Sequence, residues 1–151
     1  MWSNEAESVM RKAGWFVGRK ETRLAEDWRL KIAGDGFCVH DAAVAVWEEF
    51  GGLSARASGA GLECSRGDFS IDPMRATGES DRFRAFSHAV AGGFSPVGEV
   101  FDGRAFFATD ARGGMYYLGD ELFFCATDIR TAIDAVLMGR RCHLVDVNPI
   151  W

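Results

Sequence analysis

The sequence predicts an α+β fold, a mostly antiparallel sheet covered by helices. Three observations carry that prediction. Between Val97 and Ala126, four short apolar runs are separated by Asp102-Gly103, Asp110 to Gly114 and Gly119-Asp120; the first and last suit tight two-residue hairpin turns and the middle one a slightly longer loop. Elsewhere apolar residues recur at helical spacing, as Leu24, Trp28 and Ile32 do. The order of the segments is the third observation: helices, two strands, a helix, the run of four strands, and a closing helix.

Composition bounds what such a chain does. Its 151 residues, 48% hydrophobic with 12 Phe and 5 Trp, suit one domain over 1–151 whose core needs no disulfide or metal to hold it. A net charge of −5 argues against general nucleic-acid binding, which requires a concentrated Lys/Arg surface. The basic residues between Arg11 and Lys31 are interleaved with Glu21, Glu26 and Asp27, which reads as a solvated helical face. No run approaches the ~18 apolar residues of a membrane span. The opening MWSNEAESVMRKAGW lacks an apolar signal core, so a cytoplasmic protein is expected.

The first helix is expected over Asn4 to Ala13. Ser3 or Asn4 caps it, Glu5 and Glu7 favour its positive end, and Arg11 and Lys12 its negative end. In the connector that follows, Trp15 and Phe16 are expected to tuck into the edge of the core. A second helix covers about Thr22 to Ala33, and a third about Asp41 to Phe50, where Ala43, Val46, Trp47 and Phe50 share a face. Gly51 is placed as its left-handed stop.

Leu53 to Ala57 and Leu62 to Ile71 read as two strands around the turn Ser58 to Gly61, with a bulge or loop at Arg66-Gly67-Asp68. Asp72-Pro73 starts a helix carrying Phe83, Phe86 and Val90, with Gly78 as a point of interruption. The four-stranded meander follows. Thr127 is then expected to cap a last helix with Ile129, Ile133, Val136 and Leu137 in one stripe, closed by Gly139. The tail, Arg140 to Trp151, either adds a short strand or packs loosely.

Chemistry is sparse. The cysteines, Cys38, Cys64, Cys125 and Cys142, form no CxxC pair and read chiefly as buried thiols. His40, beside Asp41 at a helix entrance, reads as a capping or exposed residue, and His88 as the polar side of a helix. In Cys142-His143 the neighbours are expected to point apart. No metal-ligand spacing or phosphate-binding glycine motif occurs, so no metal and no cofactor is expected. Carboxylates do recur at the sheet turns: Asp102, Asp110, Asp120 and Glu121 edge the meander and Glu99 lies just inside it. They read either as solvated turn residues or as an acidic rim that meets a basic partner.

Short motifs in a fixed order add a resemblance. They are AGWxxGR (Ala13 to Arg19), FGGL (Phe50 to Leu53), FSIDP (Phe69 to Pro73), ESDRF (Glu79 to Phe83), PVGE (Pro96 to Glu99), Tyr116-Tyr117 closing a strand, and LMG (Leu137 to Gly139). In these the chain resembles the SUKH superfamily, specifically the third subgroup of SUKH-type immunity proteins of bacterial polymorphic toxin systems. Val17 departs from the proline of the first motif, Gly114-Met115 replaces the Arg-Val usual before the tyrosine, and Cys142 to Trp151 extends beyond the match.

The resemblance implies a non-enzymatic protein that binds a cognate toxin, often a nuclease or nucleic-acid deaminase, and blocks its active site or substrate path. An interaction scaffold with an endogenous partner is the alternative, and a small thiol hydrolase a third. Glu99, Asp102, Asp120 and Glu121 are the candidate partner-binding residues, with the turns and an open face of the sheet as the docking surface; no direct nucleic-acid or membrane contact is expected.

Overall fold

In the computed structural model, which describes residues 1–151, successive residues of the central strands alternate between two buried faces. The strands are β1 (Ser54–Ala55), β2 (Phe69–Ser70), β3 (Ser95–Val100), β4 (Ala105–Thr109), β5 (Met115–Leu118), β6 (Leu122–Ala126) and β7 (His143–Leu144). They form one antiparallel sheet in chain order. Five helices accompany it: α1 (Asn4–Ala13), α2 (Thr22–Gly34), α3 (Asp41–Phe50), α4 (Ser80–Ala85) and α5 (Ile129–Met138). The α+β class is as the sequence predicts.

On one face, Phe107, Met115 and Tyr117 pack with Met10 of α1 and with Ile133 and Leu137 of α5. On the other, Ala108, Tyr116 and Leu118 pack with Trp28 of α2, Trp47 of α3 and Phe83 of α4. Helix α3 serves both layers, giving Val46 and Phe50 to the first and Ala43 and Trp47 to the second. Strands covered on both faces must be apolar at successive positions, which is why β5 reads Met-Tyr-Tyr-Leu with every residue buried. The open face expected from the sequence is therefore not present in the central strands.

Local chemistry sets most element ends. Ser3 accepts from the Ala6 N–H at 3.1 Å to start α1. Asp128, one residue after the expected Thr127, caps α5, accepting from the Thr131 N–H at 2.9 Å. Asp110 shapes the β4–β5 loop by accepting from the N–H groups of Arg112 and Gly114. The tail adds β7 to the edge of β6 and continues past it. There the Val145 N–H donates to Leu122 O at 2.9 Å and the Ile150 N–H to Ala85 O at 2.7 Å, so the tail crosses from the sheet to α4.

Several expectations fail for identifiable reasons. The strand foreseen over Leu62 to Ile71 shrinks to Phe69–Ser70 because the preceding N–H groups are used elsewhere. Leu62, Glu63, Cys64 and Gly67 donate to Met138 O, Gly139 O (twice) and Val136 O, filling the acceptors that the C-terminus of α5 leaves unpaired. The helix foreseen from Pro73 breaks into a 3₁₀ turn, Pro73–Ala76, then α4, then a second 3₁₀ turn, Ser87–Ala89, with Gly78 at φ +84° as the interruption. Gly51 is not left-handed (φ −55°); a Cβ there would collide with Trp47 O and the Trp28 ring, so close approach requires the glycine. Gly119 opens a three-residue turn, closed by its N–H donating to Glu121 O, instead of a two-residue one. Phe16 is exposed, while Trp15 is buried as expected. None of the cysteines is fully buried: Cys38 and Cys64 are exposed, Cys125 and Cys142 partly so. No helix is long and apolar enough to cross a membrane.

Candidate functional site

The most unusual backbone in the molecule is the turn between β3 and β4. Phe101, Asp102 and Gly103 stand in succession at φ +55°, +54° and +78°. The left-handed region costs an ordinary L-residue roughly 1–2 kcal/mol, and Phe tolerates it less readily than Asp. Neighbouring structure holds the conformation. The Phe101 ring meets Tyr117 edge-on at 5.0 Å and occupies the space a side chain at Gly67 would fill. The Phe101 N–H donates to Asp68 O at 2.9 Å, and the Asp102 N–H donates to both Asp68 carboxylate oxygens, at 3.0 and 3.2 Å. Strain of this kind persists where surrounding structure over-determines it, and it concentrates at functional positions.

Beside the turn lies a polar cleft of about 330 Å³ whose charged lining is Arg56, Asp68, Arg75, Glu99 and Asp102. Strand β3 supplies Glu99, the strained turn Asp102, and the 3₁₀ turn Pro73–Ala76 supplies Arg75. Arg75 bridges Asp72 at 3.7 Å and Glu99 at 3.6 Å. The β5–β6 turn sits alongside: Gly103, Arg104, Gly119 and Asp120 share a second cleft with Glu79 and Arg82. There Arg82 bridges Glu79 at 3.1 Å and Asp120 at 3.4 Å.

The four carboxylates singled out from the sequence thus fall at one end of the sheet, in two groups. Glu99 and Asp102 line the first cleft; Asp120 and Glu121 occupy the adjoining turn. Glu99 and Asp120 are tied to arginines, whereas Asp102 and Glu121 form no ion pair. The rim is accordingly a mixed surface in which carboxylates outnumber the arginines. Sequence reading did not reach Asp68, Arg56 and Arg75. For Asp68 the signal was present in Arg66-Gly67-Asp68, a stretch that breaks strand alternation; the arginines carry no such mark.

A second cavity, of about 420 Å³, is lined by Cys38, Phe83, Arg84 and Gly92 to Phe94. Cys38 Sγ lies 3.7 Å from His40 Nε2, a pairing that invites a nucleophile–base reading. The remaining contacts oppose it. His40 Nε2 is also 3.0 Å from Gly93 O, an atom that only accepts, so this nitrogen carries its proton and offers the thiol no base. The Cys38 thiol in turn donates to Phe94 O at 3.1 Å, so its hydrogen points at the backbone and away from His40. His40 therefore fastens the Gly92-Gly93 turn; its side chain does not cap α3. His88 and His143 are exposed, and no cluster of ligating residues suited to a metal ion occurs.

Most of the basic residues near the N-terminus pair within the protein itself. Lys31 pairs with Asp27 at 2.9 Å and Arg11 with Glu7 at 3.2 Å, each within its own helix. Arg19 donates to the backbone oxygens of Glu49 and Gly51.

A family model described as SUKH-3 immunity protein matches residues 2–139. Comparisons with curated proteins and with solved structures give no match.

Proposed function

Since the chain belongs to the SUKH-3 immunity protein family, we propose that it acts in the cytoplasm by binding a cognate bacterial toxin and neutralising it in a stoichiometric complex. The toxin is a nuclease or a nucleic-acid deaminase of a polymorphic toxin system, and the protein works without catalysis of its own. A toxin of that class needs a basic surface to hold phosphates. A module of net charge −5 is attracted to such a surface over distance, which speeds encounter and selects the partner.

The observation that carries the location is the strained turn Phe101 to Gly103, which presents Asp102 at the mouth of a charged cleft with Glu99 behind it and Glu121 on the next turn. Asp102 and Glu121 are uncommitted carboxylates, available to a partner's arginines and lysines. Glu99 and Asp120 exchange an internal arginine for an external one on docking. The test is protection in cells. Co-expression of this chain with the toxic domain encoded beside it is expected to restore growth, and the double variant Asp102→Asn/Glu121→Gln to protect less at equal protein level. Failure of the wild-type chain to protect would remove the toxin reading; equal protection by the double variant would move the interface elsewhere.

A further inference from the structure

The pairing of β6 with β7 brings together two thiols that the reading above does not use. Register partners Phe123↔Leu144 and Phe124↔His143, extended by one step, set Cys125 opposite Cys142. The Val145 N–H donates to Leu122 O, so positions two and four residues along alternate with non-hydrogen-bonded pairs, and Cys125/Cys142 is one of the latter. Cα atoms approach to about 4.5 Å at such pairs, within the ~4.4–6.8 Å that a disulfide spans. Cys125 Sγ lies 3.3 Å from the Tyr117 hydroxyl, and the two thiols are near enough for each to shift the other's pKa.

We propose that Cys125 and Cys142 form a modification site, a dithiol that peroxides oxidise to a disulfide, fastening β7 and the segment after it to the sheet. This proposal does not rest on the toxin reading. Cys142 lies outside the residues the family model matches, so the bond would anchor a segment beyond the matched region.

The two sulfurs are unequal. The hydrogen bond from Cys125, with a second from Tyr117, pulls the Cys142 thiol below its ordinary value against the opposing effects of burial and of the Glu63 carboxylate. The hydrogen bond it gives to Cys142, together with burial, pushes the Cys125 thiol up. Cys142 is thus the sulfur that ionises first and attacks. Its thiolate displaces hydroxide from the peroxide: the O–O bond breaks, an S–O bond forms, and the sulfur is oxidised by two electrons to a sulfenic acid. Protonated hydroxide leaves as water. Cys125 then gives up its proton and attacks the Cys142 sulfur; the S–O bond breaks and a second water leaves. One hydrogen peroxide is reduced to two waters for each disulfide formed.

The test uses the full chain treated with hydrogen peroxide, alkylated, and digested with trypsin without reductant. Cleavage after Arg112, Arg130 and Arg141 separates Gly113–Arg130, which holds Cys125, from Cys142–Trp151. The expected result is a joined species of these two peptides, two hydrogens lighter than their sum and released by reductant. In Cys125→Ser, a sulfenic-acid-trapping dione is expected to label Cys142, and in Cys142→Ser to leave Cys125 unlabelled. Absence of the joined peptide from the oxidised wild type, or linkage of Cys142 to Cys64 instead, would overturn the proposal, as would labelling of Cys125 in preference to Cys142 in the two variants.

Discussion

Both carboxylate oxygens of Asp68 accept the backbone N–H of Asp102, at 3.0 and 3.2 Å. The contact joins two loops 34 residues apart in sequence and fixes the turn that carries Asp102. Asp68→Ala removes it and is expected to lower stability by about 1 kcal/mol, because the donor regains water at this exposed site. Urea unfolding measures the loss. An unchanged midpoint would mean that Phe101 alone holds the turn.

Backbone handedness at Asp102 gives a second prediction. Asp102→Val forces a β-branched residue into the left-handed region at φ +54° and should cost about 1–2 kcal/mol. Asp102→Gly should leave stability within about 1 kcal/mol of wild type, relief of strain being offset by greater freedom of the unfolded chain. Val and Gly variants of equal stability would argue that the turn is not held left-handed in solution.

The loop that caps α5 depends on contact between backbones. A Cβ at Gly61 would run into Met138 O, Cys64 O and the Gly139 Cα, so Gly61→Ala is expected to cost about 1–3 kcal/mol. Faster amide hydrogen exchange at Leu62, Glu63 and Cys64 should accompany the loss, since those N–H groups donate to the end of α5. Destabilisation without that local change would place the collision elsewhere.

Asp134 predicts how stability responds to acid. It is 4% exposed, accepting from the Ser3 N–H at 2.9 Å and from Arg140 Nε at 2.7 Å. Burial alone would raise its pKa, but the hydrogen bonds from Ser3 and Arg140 and the guanidinium charge outweigh it, and the carboxyl lies below the usual range. Its contribution is therefore present above the unfolded value of about 3.9 and fades as pH falls through the folded one. Urea midpoints should decline below about pH 4. Asp134→Asn should lose about 2 kcal/mol at neutral pH and show a shallower acid decline. An equally steep decline in the variant would assign the acid response to other carboxylates.

What the sequence made legible is what local chemistry decides. The strands β3 to β6 are readable because Asp102-Gly103, Asp110 to Gly114 and Gly119-Asp120 interrupt them, even though the first turn spans the four positions between Val100 and Ala105 and the last the three between Leu118 and Leu122. Helices α1, α2, α3 and α5 are readable from apolar stripes and capping residues. The losses come from long-range partners. Leu62 to Ser65 alternates well enough for a strand, but the N–H groups of Leu62, Glu63 and Cys64 serve the end of α5, some 70 residues later. Gly51 looks like a helix stop, yet the Trp28 ring decides it. Of the candidate rim, the carboxylates were visible as turn residues, while Asp68, Arg56 and Arg75 reach the same cleft only through pairing of β1, β2 and β3. Cys125 and Cys142 read as separate small hydrophobes until β7 sets them face to face.

The most direct test is calorimetric titration of the purified chain with the toxic domain encoded beside it, an inactivated form of that domain serving as titrant. The expected result is a 1:1 complex whose affinity falls as salt rises. In Asp102→Asn/Glu121→Gln it should weaken by about tenfold or more, which corresponds to about 1.4 kcal/mol. No binding by the wild-type chain would contradict the immunity reading, and a complex of unchanged affinity in the double variant would contradict its placement at the Phe101 to Gly103 turn.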